Sequence, residues 1–180
     1  MIYLITGGAR SGKSSYAERL ARHFGGDKVT YVATLEPTDA EMTRRIKRHQ
    51  AQRPDAWETL ESPLNLATAL QQAQHPTILV DCLSGFVSNI LLAHEQGGEE
   101  AAVTAVLKAV EGLCKTLSKL DRTVIVVTNE VGDGVVPPYP LGRWYRDALG
   151  LANQRVAHVA DAVSLVTVGL PQALKGDFPL

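Results

Sequence analysis

Short, continuously apolar runs alternate along this chain with amphipathic stretches. Five runs predict strands, at residues Ile2–Thr6, Val29–Ala33, Thr77–Asp81, 123–128 and 162–168. Most are apolar throughout rather than alternating, as expected for a parallel sheet that is covered on both faces. Between the runs, apolar residues recur at helical spacing. The alternation therefore predicts a single α/β domain with a mainly parallel sheet flanked by helices.

Helix signals fill the segments between these predicted strands. Tyr16, Leu20 and Phe24 repeat one turn apart, and Ser62 with Pro63 predicts the start of a later helix. The spacing from Thr38 to Glu41 is that of a capping box. Three further helices are predicted at about residues 85–95, 99–120 and 141–160, the first two separated by Gly97 and Gly98.

Composition excludes several classes of protein without naming one. The chain has 180 residues, 45% of them hydrophobic, and a formal net charge of −1, so we expect no nucleic-acid partner and no attraction to anionic membranes. It has no apolar stretch of bilayer length and no secretory leader, which predicts a cytoplasmic protein. Cys82 and Cys114 lie in apolar segments, so we expect buried thiols rather than a disulfide or a zinc site.

The segment after the first predicted strand carries the most specific motif. Residues 7–14 read GGARSGKS and fit G-x-x-x-x-G-K-S, the phosphate-binding loop. Glycines let backbone N–H groups turn towards phosphate oxygens, and the dipole of the following helix adds positive potential. We expect Lys13 to reach the terminal phosphates and the Ser14 hydroxyl to complete a Mg²⁺ shell. Residues 1–180 are thus predicted to form one P-loop NTPase-like domain that binds a nucleoside triphosphate.

A carboxylate at the end of the third predicted strand is a candidate metal ligand. Asp81 ends the apolar run TILVD. Many buried strands end in Asp simply as a turn or cap residue, but phosphate-loop enzymes need a carboxylate beside the loop Ser or Thr to hold Mg²⁺. Given the loop upstream, we favour the metal site.

Residues 38–54 combine cations with a histidine. Met42, Ile46 and His49 stand at i, i+4 and i+7, so the imidazole shares an apolar stripe. Such a histidine is usually structural, and charge runs are usually solvated. Near a triphosphate, however, an imidazole nitrogen is a competent nucleophile towards phosphorus, and flanking cations would offset developing charge. Kinase chemistry and covalent nucleotidyl transfer both stay open. The flanking cations are Arg44, Arg45, Lys47, Arg48 and Arg53.

Polar residues also follow the fourth predicted strand. Residues 128–132 read TNEVG, at the end of a strand where open α/β folds bind ligands. A turn built from Asn, Gly and Pro explains the segment equally well. A polar series on the last predicted helix fits a surface, a subunit contact or a substrate wall: Arg143, Arg146, Asp147, Asn153 and Gln154.

A series of motifs runs in order along nearly the whole chain. It comprises TGGARSGKS at 6–14, YVAT at 31–34, Arg45 with Ile46, His49, Arg53 with Pro54, Trp57, Thr59, Glu61, TNEVG at 128–132, RD at 146–147 and NQ at 153–154. The series resembles the family of bifunctional adenosylcobinamide kinases / adenosylcobinamide-phosphate guanylyltransferases. It is far more specific than the phosphate loop alone.

The resemblance implies two reactions with GTP and ATP as co-substrates and Mg²⁺ as cofactor. A nucleoside triphosphate phosphorylates the aminopropanol hydroxyl of adenosylcobinamide. GTP then gives GMP to a histidine, which is His49 here, and adenosylcobinamide phosphate collects that GMP to form adenosylcobinamide-GDP. Lys13 would be the other catalytic residue, and Ser14 with Asp81 would hold the metal. The resemblance also implies a homotrimer with sites near the subunit boundaries.

The nucleotide contacts that the resemblance implies lie in five segments. They are Gly7, Gly8, Ala9, Arg10, Ser11, Gly12, Lys13, Ser14; Ala33, Thr34, Leu35; Gln50, Ala51, Gln52, Arg53; Glu61; and Asp81. Two other interpretations stay open at this stage. One is a simple P-loop small-molecule kinase in which His49 is structural, and the other is a non-catalytic nucleotide-binding regulator.

Overall fold

The computed structural model describes residues 1–35 and 54–180. Its strands are β1 (Ile2–Thr6), β2 (Val29–Ala33), β3 (Glu58–Glu61), β4 (Thr77–Asp81), β5 (Thr123–Val127), β6 (Ala162–Thr167) and β7 (Leu170–Lys175). Its helices are α1 (Lys13–Gly25), α2 (Leu66–Gln72), α3 (Leu83–Ala93), α4 (Gly98–Leu117) and α5 (Pro140–Val159). A 3₁₀ turn at Glu95–Gly97 separates α3 from α4.

The described strands form one sheet in the order β3-β2-β4-β5-β1-β6-β7. Every neighbouring pair is parallel except β6 with β7, which is antiparallel. Helix α1 covers one face of the sheet, where it packs with Tyr3 and Ile5. Helices α2 to α5 cover the other face, where they pack with Ile2 and Leu4. Burial on both faces explains the continuous apolar runs, and the predicted fold class is confirmed.

The strand register brings the carboxyl ends of the central strands to one edge of the sheet. Ile5 pairs with Val127, and Asp81 also pairs with Val127 from the other side. Asp81 in turn pairs with Ala33, which pairs with Glu61 on β3. The segments that follow β1, β5, β4, β2 and β3 therefore all start at this edge, where open α/β sheets bind ligands.

Several predicted boundaries need correction, and two strands were not foreseen. Helix α3 ends at Ala93 rather than 95, and α4 ends at Leu117 rather than 120. The predicted helix start at Ser62 and Pro63 is wrong: α2 begins at Leu66, because the Ser62 amide donates to Ala33 O and prolongs the pairing with β2. Helix α3 begins two residues earlier than predicted, since Cys82 Sγ caps it by accepting from Gly85 N at 3.3 Å. Strands β5 and β6 each end one residue early. The unforeseen β3 and β7 lie at the two edges of the sheet and have exposed positions.

Three other expectations concern the cysteines, membrane-spanning helices and the number of domains. Cys82 and Cys114 are free thiols, with Cys82 buried and Cys114 half-buried. Among the helices in residues 1–35 and 54–180, none is long and apolar enough to cross a lipid bilayer. A single domain over residues 1–180 stays a prediction, because residues 36–53 lie outside the described part of the chain. The predicted capping box at Thr38 falls in that segment.

Candidate active site

The loop after β1 has the backbone that its sequence predicts. Gly12 takes φ 95° and leads into α1, a conformation that favours glycine. A side chain at Gly7 would meet Val166 O at 2.5 Å, so only glycine fits there. No side chain caps the amino end of α1, and its first turn holds no acidic residue. The first amides of α1 and the positive end of its dipole are thus available to an anion.

Backbone hydrogen bonds fix this loop to two neighbouring segments. Gly169 N, in the turn between β6 and β7, donates to Ser11 O at 2.8 Å. Glu130 N, in the segment after β5, donates to Gly7 O at 3.1 Å. These bonds tie down both ends of the loop, while Gly8, Ala9 and Arg10 between them are exposed.

Two buried hydroxyls and one ammonium group mark the loop as polar. Thr6 Oγ1 and Ser11 Oγ are buried and have no hydrogen-bond partner among the described residues. Buried polar groups are normally paired, so such hydroxyls point to a missing ligand or water. Lys13 Nζ donates to Gly8 O at 3.1 Å, which holds the ammonium over the loop. Ser14 follows it and is half-buried.

Asp81 lies at the end of β4, two strands from β1. Its Oδ2 accepts a hydrogen bond of 2.7 Å from the buried Tyr31 hydroxyl, which orients the carboxylate. Burial raises the pKa of the adjacent Cys82 thiol, the Asp81 charge raises it further, and the Lys13 ammonium opposes both. The Asp81 carboxylate is thus held in one orientation at the ligand edge of the sheet.

The predicted contacts after β2 and β3 differ in exposure. Thr34 is fully buried, and its hydroxyl donates to Cys82 O at 2.7 Å and accepts from Cys82 N at 2.8 Å. Leu35 is exposed, and Ala33 is half-buried. Glu61 is exposed at the end of β3, four strands from β1. Thr34 is thus engaged within the protein, whereas Leu35 and Glu61 face outward.

Helix α3 packs directly on this segment. Asn89 Nδ2 donates to Thr34 O at 2.7 Å and to Pro63 O at 3.1 Å. A side chain at Gly85 would meet Thr34 Oγ1 at 2.7 Å, so glycine permits the close approach. Burial also raises the pKa of the nearby Tyr145 hydroxyl to about 12, so this hydroxyl stays protonated. We call Thr34, Cys82 and Asn89 the β2–β4 junction.

Residues 128–130 also lie at this edge of the sheet, beside the phosphate loop, and they were not among the predicted site residues. The buried Thr128 hydroxyl donates to Asn153 Oδ1 at 2.7 Å, and Asn153 Nδ2 donates to Asn129 O at 3.0 Å. Helix α5 thereby holds the segment that contacts Gly7 through Glu130. The signal in the sequence was a polar stretch directly after a buried strand.

The remaining predicted site residues lie outside the described residues. These are His49, Gln50, Ala51, Gln52 and Arg53, together with the basic residues around His49. Their roles stay predictions.

The donors in the described part suit a phosphate-bound magnesium ion. Residues 1–35 and 54–180 contain no group of three or more His, Cys, Asp or Glu side chains arranged to hold a metal. Mg²⁺ does not require one, because it is commonly bound by one or two carboxylates, substrate phosphates and water. Ser14 and Asp81 offer the hard oxygen atoms that this ion prefers.

Comparison with solved structures identifies the fold alone. A prototypical ATPase from the type III secretion system of pathogenic bacteria aligns with a TM-score of 0.56 at 13% identity, over 96% of this chain and 56% of that one. A second solved ATPase domain aligns with a TM-score of 0.53 at 14% identity and covers 91% of this chain and 68% of that chain. Both support a P-loop NTPase-like fold.

Closer relatives match over almost the full length. The chain is 42% identical over 179 residues to the bifunctional adenosylcobalamin biosynthesis protein CobP of Pseudomonas aeruginosa, covering 97% of each chain. It is 39% identical to the bifunctional adenosylcobalamin biosynthesis protein CobU of Salmonella typhimurium, over 97% of this chain and all of that protein. The family model described as cobinamide kinase / cobinamide phosphate guanyltransferase matches residues 3–174. The predicted resemblance is confirmed, and the chain belongs to this family of bifunctional transferases.

Proposed function

We propose that this protein phosphorylates adenosylcobinamide with a nucleoside triphosphate and then transfers GMP from GTP, through His49, to give adenosylcobinamide-GDP. Membership of the family supports a role in adenosylcobalamin biosynthesis. The observation that carries the proposal is the loop after β1, with its uncapped helix start and its unpaired buried hydroxyls, next to Asp81 and Glu130. The part played by His49 rests on the resemblance of residues 45–54 to the family motif.

Different described residues bind different parts of the nucleotide and its metal ion. Amides at the start of α1 bind phosphate oxygens, and Lys13 neutralises charge on the terminal phosphates. Ser14 and Asp81 hold Mg²⁺, which when bound offsets the charge of the phosphates. The Tyr31 hydroxyl keeps the Asp81 carboxylate in one orientation. Ala33, Leu35 and Glu61 are available to the rest of the nucleotide at the same sheet edge.

His49 supplies the step that a simple kinase lacks. A neutral imidazole nitrogen attacks the α-phosphorus of GTP, a P–N bond forms, and pyrophosphate leaves. The phosphate group of adenosylcobinamide phosphate then attacks the same phosphorus, the P–N bond breaks, and His49 is released. The neighbouring cations, Arg53 among them, offset charge on the α-phosphate.

Labelling with GTP tests this assignment. Incubation with GTP labelled at the α-phosphate, followed by denaturation, should leave label on the wild type as an acid-labile, alkali-stable phosphoramidate. His49→Ala should abolish the label, while His158→Ala, which changes an exposed histidine at the end of α5, should retain it. Equal labelling of wild type and His49→Ala would contradict the nucleophile assignment.

The same experiment separates the alternative kinase from the bifunctional enzyme. A simple small-molecule kinase would transfer the γ-phosphate to cobinamide without ever carrying label from the α-phosphate. Family membership argues against the non-catalytic regulator, which would show neither activity.

Assembly and location are further parts of the proposal. We infer a homotrimer from the resemblance, and a cytoplasmic location from the role of the family in adenosylcobalamin biosynthesis. Light scattering of the purified chain tests the first: a mass near three times 19.4 kDa is expected, and a monomer would contradict it.

A further inference from the structure

We propose that Glu130 is the general base that removes the proton from the substrate hydroxyl during phosphoryl transfer. The inference rests on the kinase part of the proposed function. It assigns a chemical role to the segment after β5, for which the sequence favoured a ligand site and a plain turn equally.

Glu130 is placed by the strand order beside the phosphate loop. In the described part of the chain, carboxylates end or follow three strands at the ligand edge: Glu61 on β3, Asp81 on β4 and Glu130 after β5. Adjacent strands lie about 4.8 Å apart, so β5, β4 and β3 are about 5, 10 and 19 Å from β1. Of these three carboxylates, Glu130 therefore follows the strand nearest β1, and its amide donates directly to Gly7 O at 3.1 Å.

The other two carboxylates have different surroundings. Asp81 is oriented by the Tyr31 hydroxyl, and in the proposed function it holds Mg²⁺ together with Ser14. Glu61 is exposed at the far side of the site. Glu130 is half-buried, its Oε1 accepts from Gly132 N, and its Oε2 has no hydrogen-bond partner among the described residues. One oxygen thus fixes the side chain while the other is available to accept a proton.

The backbone under Glu130 is held on both sides. Thr128 N donates to Ile5 O, and the Thr128 hydroxyl donates to Asn153 on α5. Asn153 also binds Asn129 O. A base must be held within hydrogen-bond reach of the proton that it abstracts, and these bonds restrict its movement relative to the loop.

In the proposed step, the substrate hydroxyl oxygen attacks the γ-phosphorus, an O–P bond forms, and the bond from that phosphorus to the bridging oxygen breaks. The nucleoside diphosphate leaves with the electron pair of that bond. The hydroxyl proton passes to Glu130 and later to solvent. Kinases use a carboxylate for this purpose because it accepts the proton as the hydroxyl becomes acidic in the transition state.

The guanylylation of His49 does not need this base. A neutral imidazole attacks through a nitrogen lone pair, so no proton has to be removed from the attacking atom. Loss of Glu130 should therefore separate the two reactions. It should slow transfer of the γ-phosphate and leave labelling of the protein by α-labelled GTP intact.

Glu130→Gln is the decisive variant, because the amide oxygen still accepts from Gly132 N but is not a base. We expect kcat for cobinamide phosphorylation to fall by about 10²- to 10⁴-fold, while KM for the triphosphate stays within about twofold of the wild-type value, since the base does not hold the phosphates. Asp133→Asn makes the same charge change at an exposed position of the same loop and should behave as wild type.

The outcomes of this experiment distinguish a base from a structural residue. Phosphorylation by Glu130→Gln at a rate similar to wild type would overturn the inference. Equal loss of phosphorylation and of histidine labelling would also overturn it, since it would show that Glu130 only maintains the fold of the loop. Glu130→Asp keeps a carboxylate on a shorter side chain and should retain phosphorylation at a reduced rate. A wild type that labels His49 but never phosphorylates cobinamide would instead refute the kinase part of the proposed function.

Discussion

The phosphate loop and the β2–β4 junction lie at the same edge of the sheet but treat their polar groups in opposite ways. In the junction, the Thr34 hydroxyl both donates to and accepts from Cys82, and Asn89 binds two carbonyl oxygens. In the loop, Thr6 Oγ1 and Ser11 Oγ are buried with no partner among the described residues. The junction is complete within the protein, whereas the loop is completed by what it binds.

This difference predicts where substitutions act. A satisfied buried group contributes to stability, and its removal leaves a partner unpaired at a cost of about 1–3 kcal/mol. An unpaired group contributes little to the stability of the empty protein, but it is available to a ligand. Changes in the junction should therefore alter folding first, and changes in the loop should alter catalysis first.

Lys13→Ala should have the largest effect, and that effect should be on activity. Removing the ammonium takes away charge stabilisation on the phosphates, so we expect both cobinamide phosphorylation and histidine labelling to fall by about 10²- to 10³-fold or more. The free energy of unfolding should change by less than about 1 kcal/mol, because the bond from Lys13 to Gly8 O is exposed to solvent and water can replace it.

The matched control is Lys28→Ala, which removes an exposed lysine beyond the end of α1. It should leave both activities and stability near wild type. Loss of only one activity in Lys13→Ala would show that the two reactions do not share this loop.

Thr34→Val should have the next largest effect, on stability. Valine keeps the volume but leaves the buried Cys82 amide without its acceptor, so we expect a loss of about 2 kcal/mol in the free energy of unfolding. Urea unfolding followed by circular dichroism measures it. Thr59→Val makes the same change at an exposed position on β3 and should cost much less. If both variants lose the same free energy of unfolding, the β2–β4 junction is not a stabilising element.

The sequence was informative where burial dictates the residue pattern. Three of the five predicted strands have the bounds predicted, because strands buried on both faces are apolar throughout. Strand β3, in which three of four residues are polar, and β7, which is exposed and contains Pro171, lack that signal because they lie at the edges of the sheet. Edge strands bury less surface and therefore constrain their sequence less.

The candidate site was also predictable in part, because one of its segments is a local sequence motif. The phosphate loop is a local motif whose glycines serve backbone conformations within a short segment, so spacing alone identifies it. The hydrogen bond from the Thr128 hydroxyl to Asn153 Oδ1 joins residues 25 apart, and no periodicity reports such a contact. Likewise, the proximity of Glu130 to Gly7 depends on the strand order, which places β5 beside β1.

Ser11→Ala should have the smallest effect on the free energy of unfolding of the empty protein. It therefore tests the comparison between the phosphate loop and the β2–β4 junction most directly. Its hydroxyl is buried but unpaired among the described residues, so its loss should change the free energy of unfolding by no more than about 0.5 kcal/mol, or slightly raise it. Ser84→Ala is the same substitution at a buried serine in α3, next to the junction, whose hydroxyl donates to Cys82 Sγ at 2.9 Å, and it should cost about 1 kcal/mol. Urea unfolding without nucleotide gives both values. If Ser11→Ala costs as much as Ser84→Ala, the Ser11 hydroxyl is already satisfied in the empty protein. The loop would then be no less complete than the junction.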